Sequence, residues 1–397
     1  MRTVLKNHIS TDSQSLILTV NAGSSSLKFD LFSINPIVRI TSGVIDKIGQ
    51  NKSLFTINNL SKEVSLNTYN DAINLFIEWY KHNNTQNIIA IGHRIVHGGP
   101  KYFEPCLATN DIFDDLKKFI PFDTEHLPSE LLILEKVQKL FQDIPNILCF
   151  DTSFYKDLPI ESKMLPIPRH YFKEGLRRYG FHGLSYQFVF QKLQQIYGEK
   201  IFSSRLIIAH LGNGVSISAI KEGKPIDTTM GFTPTGGVPM GTRSGDIDPG
   251  IISYIEYTKN LNTNQINHLF NFESGLLGIS ETTSDMKSLL DNESKDKRIS
   301  DAINIFCYDI RKTIGGFIAI LGGVDKIVFT GGIGENSPEI RKRICQNLEF
   351  MGILIDQENN YNNKDVISPK TSKVDIRVIH TDEAQIIAQN VINILNI

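Results

Sequence analysis

The sequence predicts an α/β protein built from two similar domains with a ligand cleft between them. Three observations lead there. The chain has 397 residues, more than one compact domain usually holds. An apolar strand that enters a Gly/Ser turn and leaves as an alternating strand occurs at residues 16–33 (LILTVNAGSSSLKFDLFS) and again at 206–220 (LIIAHLGNGVSISAI). The two turns lie about 190 residues apart, roughly half the chain, which suits a duplicated domain.

Other strands are expected at 88–91, 146–150 and 326–330, each ending in polar or glycine-rich sequence. Ligands of α/β folds collect at such carboxyl ends. Helices are expected at 129–141, 301–321 and 382–395. The second carries Ile303, Phe306, Ile310, Ile314, Phe317 and Leu321 at helical spacing, with Gly315 and Gly316 read as a point of close helix packing. Residues 357–364 (QENNYNNK) read as an exposed loop, and residues 1–15 as a short polar extension without a leader pattern.

Composition narrows the classes. Apolar residues are 41% and charged residues 21%, so a large core is available. A net charge of -2 gives no electrostatic case for nucleic acid or an anionic membrane. Apolar runs fall short of the roughly 20 residues of a membrane span. Cys106, Cys149, Cys307 and Cys345 show no metal-type pairing, which fits a reduced, cytoplasmic compartment.

The chemistry-bearing residues sit in small-residue surroundings. The turn from Asn21 to Lys28 offers amides, three serines and one ammonium, either for phosphate oxygens or as an ordinary hairpin turn. It lacks Walker A spacing. His210, Leu211, Gly212, Asn213 and Gly214 form a second glycine turn, and Gly331, Gly332, Ile333, Gly334 and Glu335 a third, before a helix expected near Pro338. Glycines there let a backbone approach a base or a phosphate. Arg94 and Arg243 are embedded in glycine-rich strings, where a guanidinium could clamp a carboxylate or a transferring phosphoryl group, or form a structural ion pair. His182, between Phe181 and Gly183, could donate to a developing charge; His93 and His97 read better as structural. Asp151 follows a strand and could serve a metal or a proton, or simply cap a turn. Glu383 starts the last helix, where the dipole alone would explain it.

Taken together, the strings NAGSSSLKF, GHRIVHGG, FDTSF, RRYGFHG, AHLGNGVS, GFTP, MGTRSGDIDPG, FTGGIGENS and TDEAQIIA resemble the acetate/propionate kinase family, within the sugar kinase, Hsp70 and actin superfamily. The resemblance runs from Leu16 nearly to the C-terminus. It implies two duplicated actin-like (ribonuclease H-like) domains, each with a mixed five-stranded sheet. The first would span 15–153 plus 384–397 and the nucleotide-binding second 154–383, with ATP in the cleft and closure excluding water. It implies reversible, magnesium-dependent transfer of a phosphoryl group between ATP and acetate, giving acetyl phosphate and ADP, by a homodimer in acetyl-CoA biosynthesis; manganese could replace magnesium.

Residue roles follow by the same resemblance. Asn21 and Glu383 would hold the metal and Lys28 would contact phosphates. Arg94 would bind the acyl substrate beside an apolar pocket of Val96, Phe181 and Pro234. Asp151, His182 and Arg243 would be catalytic. His210 to Gly214, Asp285, Met286 and Lys287, and Gly331 to Glu335 would line the nucleotide site. Some positions depart from the family pattern. Glu125 stands where an apolar pocket residue is usual, and Lys287 replaces an arginine, keeping charge but losing a planar face. Two rival readings are a kinase for propionate or another short acid and an ATP-gated switch of actin or Hsp70 type. The switch would not need Arg94, His182 and Arg243 together.

Overall fold

The computed structural model describes residues 15–23, 25–50, 52–83 and 87–397. Of the extension expected at residues 1–15, residues 1–14 lie outside the described residues, as does Ser24 in the first glycine turn, while Ser15 already belongs to the first strand. The chain forms two compact units, Met1–Ser153 with Asp382–Ile397, and Phe154–Thr381.

In the first unit, β1 (Ser15–Ala22), β2 (Leu27–Ser33), β3 (Arg39–Asp46), β4 (Ser53–Ile57), β5 (Leu60–Val64), β6 (Asn87–Ile95), β7 (Cys106–Leu107) and β8 (Asn146–Phe150) form one sheet in the order β5-β4-β3-β2-β1-β6-β8-β7. β1 pairs antiparallel with β2 and parallel with β6, and β6 pairs parallel with β8. β1 reads as a continuous apolar run because both its faces are covered. Leu16, Leu18 and Val20 pack with Phe29 and with Ile73 and Phe76 of the helix Tyr69–Asn83. Each such side chain contributes about 1.5–3 kcal/mol by leaving water. The helix Glu383–Leu395 buries Ile386, Ile387, Ala388 and Val391. It lies against β6 at Gly92, where a Cβ would meet Ile387 Cγ2 at 2.4 Å and Val391 Cγ2 at 2.8 Å, so a larger residue would lift the helix off the sheet.

In the second unit, β9 (Leu206–Leu211), β10 (Val215–Lys221), β11 (Lys224–Thr228), β12 (Lys326–Thr330) and β13 (Asp375–Val378) run in the order β11-β10-β9-β12-β13. The first three pair antiparallel, and β12 pairs parallel with β9 and β13. The helix Lys297–Leu321 buries all six of its expected apolar positions. Within each unit the same five-strand pattern is present: β3-β2-β1-β6-β8 in the first repeats as β11-β10-β9-β12-β13 in the second, with antiparallel and parallel pairings in the same places.

Four expectations are corrected. The first sheet has eight described strands rather than five, because β4 and β5 form an extra hairpin and β7 an extra edge. The Asn58-Asn59 turn of that hairpin has φ of 44° and 71°, the left-handed pair that a two-residue turn requires and asparagine tolerates. Gly315 and Gly316 do not mark close packing: a Cβ on either meets nothing within 4 Å among the described residues. Residues 357–364 are not a plain exposed loop. Asp356 accepts from Asn359 N and caps the short helix Gln357–Tyr361, which buries Asn360 completely. The third glycine segment does not merely precede a helix; it forms its own, Gly331–Asn336, ahead of Pro338–Cys345.

Candidate active site

In the first unit, Arg94 gathers three of the expected residues. It stands near the end of β6, with its Nη2 donating to Asp151 Oδ2 at 2.6 Å and its Nη1 to Asn21 Oδ1 at 3.3 Å. Its Nε lies 3.9 Å from Glu383 Oε2, which accepts from Asn21 Nδ2 at 3.4 Å. Strand order explains the meeting: Asn21, Arg94 and Asp151 lie at the carboxyl ends of adjacent strands β1, β6 and β8. Glu383 begins the helix laid over them. Asp382 caps that helix, accepting from Gln385 N at 3.0 Å.

Burial works against the Arg94 charge, but the carboxyls of Asp151 and Glu383 chiefly outweigh it and hold its pKa above the ordinary arginine value. Burial likewise pushes the Glu383 carboxyl up, against the pull of Arg94. Asp151 is fully buried, and its Oδ1 has no hydrogen-bond partner among the described residues. Lys28 is exposed on β2, paired in register with Asn21. Val96 is buried, its N donating to Glu130 Oε2.

The hard oxygen donors of Asn21 and Glu383 fit magnesium, which keeps several waters and needs only one or two carboxylates. Among the described residues, no group of three His, Cys, Asp or Glu side chains could hold a metal by itself.

In the second unit, His182 has φ of 58°, a left-handed conformation at the start of the helix Gly183–Tyr197. Its Nδ1 lies 2.8 Å from Ser216 Oγ on β10, and Tyr186 OH lies 2.7 Å from the same oxygen. The ring stacks on His210, centroids 4.2 Å apart. His210 Nδ1 in turn lies 2.8 Å from Ser185 Oγ. These contacts leave Nε2 of His182 toward Gly214. A Cβ at Gly214 would lie 3.1 Å from His182 Nε2 and 3.5 Å from Arg243 Nη1, so the two side chains converge on the glycine turn after β9. Arg243 Nη1 also donates to Pro234 O at 3.3 Å. Pro234 is buried, as is Phe181, whose carbonyl accepts from Tyr155 OH.

A cavity of about 670 Å³ opens beside this turn, a size that suits a small ligand. It takes in Gly212 and Asn213, Asp285, Met286 and Lys287, and Gly332 and Ile333. Three segments distant in sequence thus line one cavity. A Cβ at Gly212 would already stand 3.9 Å from Gly332 N, so the two glycine turns are close enough to share a ligand. Asp285 caps the helix Met286–Asn292 by accepting from Ser288 N at 2.8 Å. Gly331, Gly334 and Glu335 fall outside the lining. Glu335 turns back, accepting from Gly331 N at 2.9 Å and Thr381 N at 3.0 Å, and so ties the glycine helix to the chain beyond β13. Leu211 is core and contributes backbone only.

Sequence reasoning missed several residues. Leu290 and Asp291 add to the cavity wall about one helical turn after Met286, a spacing that could have shown it, and Asn336, Ser337, Pro338 and Glu339 line it after the glycine segment. Arg341 is fully buried and donates to Gly334 O at 2.8 Å and Glu335 O at 3.0 Å, fastening the glycine helix from behind. Glu130, buried beside Val96, carried no signal beyond an acid in a first helical turn. His93 is structural, as expected: its Nε2 lies 2.7 Å from Asn146 Oδ1, and burial lowers its pKa to about 4.

Repeated mixed sheets with glycine turns at their strand ends define the actin-like class of α/β protein. The chain belongs to the acetokinase family, whose model matches residues 16–389. It is 40% identical over 390 residues to an acetate kinase of Staphylococcus aureus, covering 95% of this chain and 98% of that one. Among solved structures it is similar to a Porphyromonas gingivalis acetate kinase, with TM-score 0.87 at 35% identity over 96% of this chain and 100% of that one. A propionate kinase from Francisella tularensis gives TM-score 0.90 at 35% identity over 96% and 99%.

Proposed function

We propose that the protein transfers a phosphoryl group reversibly between ATP and acetate, giving ADP and acetyl phosphate. The observation that carries this reading is the convergence of His182 Nε2 and Arg243 Nη1 on Gly214, beside the cavity lined by Gly212 and Gly332. Two donors fixed at a glycine turn suit the charge that spreads over a phosphoryl group in flight.

The first unit supplies the carboxylate side. Arg94 binds the acyl carboxylate, next to the buried Val96, and Asp151 orients the guanidinium. The second unit supplies the nucleotide side, with Asn213, Asp285, Met286 and Lys287 around the cavity. The carboxylate oxygen is itself the nucleophile: one P–O bond forms to it as the bond to ADP breaks, and no proton need move. Lys28 neutralises phosphate charge. Magnesium (or manganese), held by Asn21 and Glu383, would add charge neutralisation across the phosphates.

The test is acyl-hydroxamate formation with ATP, magnesium and acids from formate to butyrate. The greatest yield is expected with acetate. A maximum at propionate, which the similarity to the propionate kinase favours, keeps the mechanism and moves the substrate. No product with any acid overturns the reading.

A cytoplasmic homodimer completes the proposal. Among the described residues no helix is long and apolar enough to cross a membrane, and the four cysteines are free. The helix Pro249–Lys259 buries none of its residues and exposes Ile251, Ile252, Tyr254 and Tyr257, a face suited to a second copy. Light scattering should give twice the chain mass.

A further inference from the structure

Glu130 lies in the first turn of the helix Leu127–Leu140 and is only 2% exposed. Its Oε2 accepts from Val96 N at 3.0 Å, while its buried Oε1 has no hydrogen-bond partner among the described residues. The groups that face it are Arg94 on β6, Asp151 after β8, Asp123 in the turn before its own helix, and Tyr69 at the start of Tyr69–Asn83. His126, which begins its own helix, is engaged with Asp123 at 3.0 Å.

Charge decides what such a group can be. Arg94 already faces Asp151 at 2.6 Å and Glu383 at 3.9 Å. With two acids already facing the one guanidinium, a third carboxylate would add to the excess negative charge and repel an incoming anion. Burial outweighs the pull of Arg94 and, with Asp123 and Asp151 adding to it, holds the Glu130 carboxyl well above the usual range. A neutral carboxylic acid, by contrast, holds Val96 through Oε2 without competing for Arg94.

We propose that Glu130 is a positioning residue of the carboxylate site: as a neutral acid it fixes Val96 and keeps Arg94 open to an anionic substrate, and its ionisation shuts that substrate out. The inference rests on the carboxylate-kinase reading.

The experiment follows KM for acetate and kcat across pH in the wild type, Glu130→Gln and Glu130→Ala. Wild-type KM should rise about tenfold or more as Glu130 ionises, with kcat changing less. Glutamine keeps an acceptor for Val96 N and cannot ionise, so its KM should stay level over that range. Alanine should raise KM at every pH, and glutamine should restore it. A glutamine variant that keeps the wild-type rise overturns the proposal. Should that variant fail to fold, calorimetry on the wild type decides: acetate binding should take up a proton over the pH range in which KM has risen, and heats independent of buffer throughout overturn it. A wild type that turns over no carboxylate overturns the kinase reading and this inference with it. An active wild type with an unchanged glutamine profile overturns the inference alone.

Discussion

Arg94 and Asp151 form an ion pair of 2.6 Å in which the acid is fully buried. They extend from adjacent parallel strands, Arg94 pairing in register with Cys149. Removing one partner leaves the other charge buried and uncompensated. Arg94→Ala should therefore lower unfolding free energy by about 3–5 kcal/mol and abolish turnover. Urea denaturation measures the first. The double variant Arg94→Ala/Asp151→Asn should regain part of the stability but none of the activity. A single variant as stable as the wild type would show that the pair carries no such penalty.

Arg243 acts at a different stage. Its guanidinium sits beside Gly214, the place where the proposed transfer would develop charge. Arg243→Ala should cut kcat by about 10²–10³ while the dissociation constant for ATP moves by less than about threefold. Equal losses in both would assign Arg243 to ground-state binding instead.

Gly214→Ala probes the same place without removing a charge. Gly214 is not in the left-handed region, so alanine costs contact rather than backbone strain. The new methyl presses on His182 Nε2 at 3.1 Å. A fall in kcat of about tenfold or more is expected, with a melting temperature close to that of the wild type. Undiminished kcat would mean that His182 and Arg243 need not sit at this spacing.

His93 sets part of the acid limit. Its folded pKa of about 4 lies below the ordinary 6.5, so the unfolded chain binds the proton better. The stabilisation is complete above 6.5 and is lost as pH falls toward 4, up to about 3 kcal/mol in total. Urea midpoints between pH 7 and pH 4 should fall more steeply in the wild type than in His93→Gln. Parallel slopes would acquit the histidine.

Much of this was legible from the order of residues. The hairpins at 16–33 and 206–220 carry their own signal, an apolar run, a small-residue turn and an alternating return, and β1-β2 and β9-β10 follow it. Asn21, Arg94, Asp151 and Glu383 were each ambiguous alone, and the sheet order brings them within hydrogen-bond or ion-pair reach of one another. What stayed hidden depends on burial that only tertiary packing decides. Glu130 reads as a dipole-matched surface acid until Val96 covers it. Asn360 reads as loop until Arg341 Nε donates to it at 2.8 Å. Glu335 reads as a ligand-facing acid beside glycines, yet its Oε1 accepts from Gly331 N and Thr381 N and its Oε2 lies 2.9 Å from His380 Nδ1. Local spacing says which residues could do chemistry; it does not say which way they turn.

The first unit is discontinuous, completed by the helix that begins at Glu383. On the ribosome, the strands through β8 emerge early, and the whole second unit is translated before that helix appears. Until then β6 lacks the cover that Ile387 and Val391 provide over Gly92, and Arg94 lacks one of its two acid partners. The proposed carboxylate site is therefore completed late in biosynthesis. A nascent chain stalled before residue 382 would present an uncovered apolar sheet face, which is the kind of surface chaperones hold.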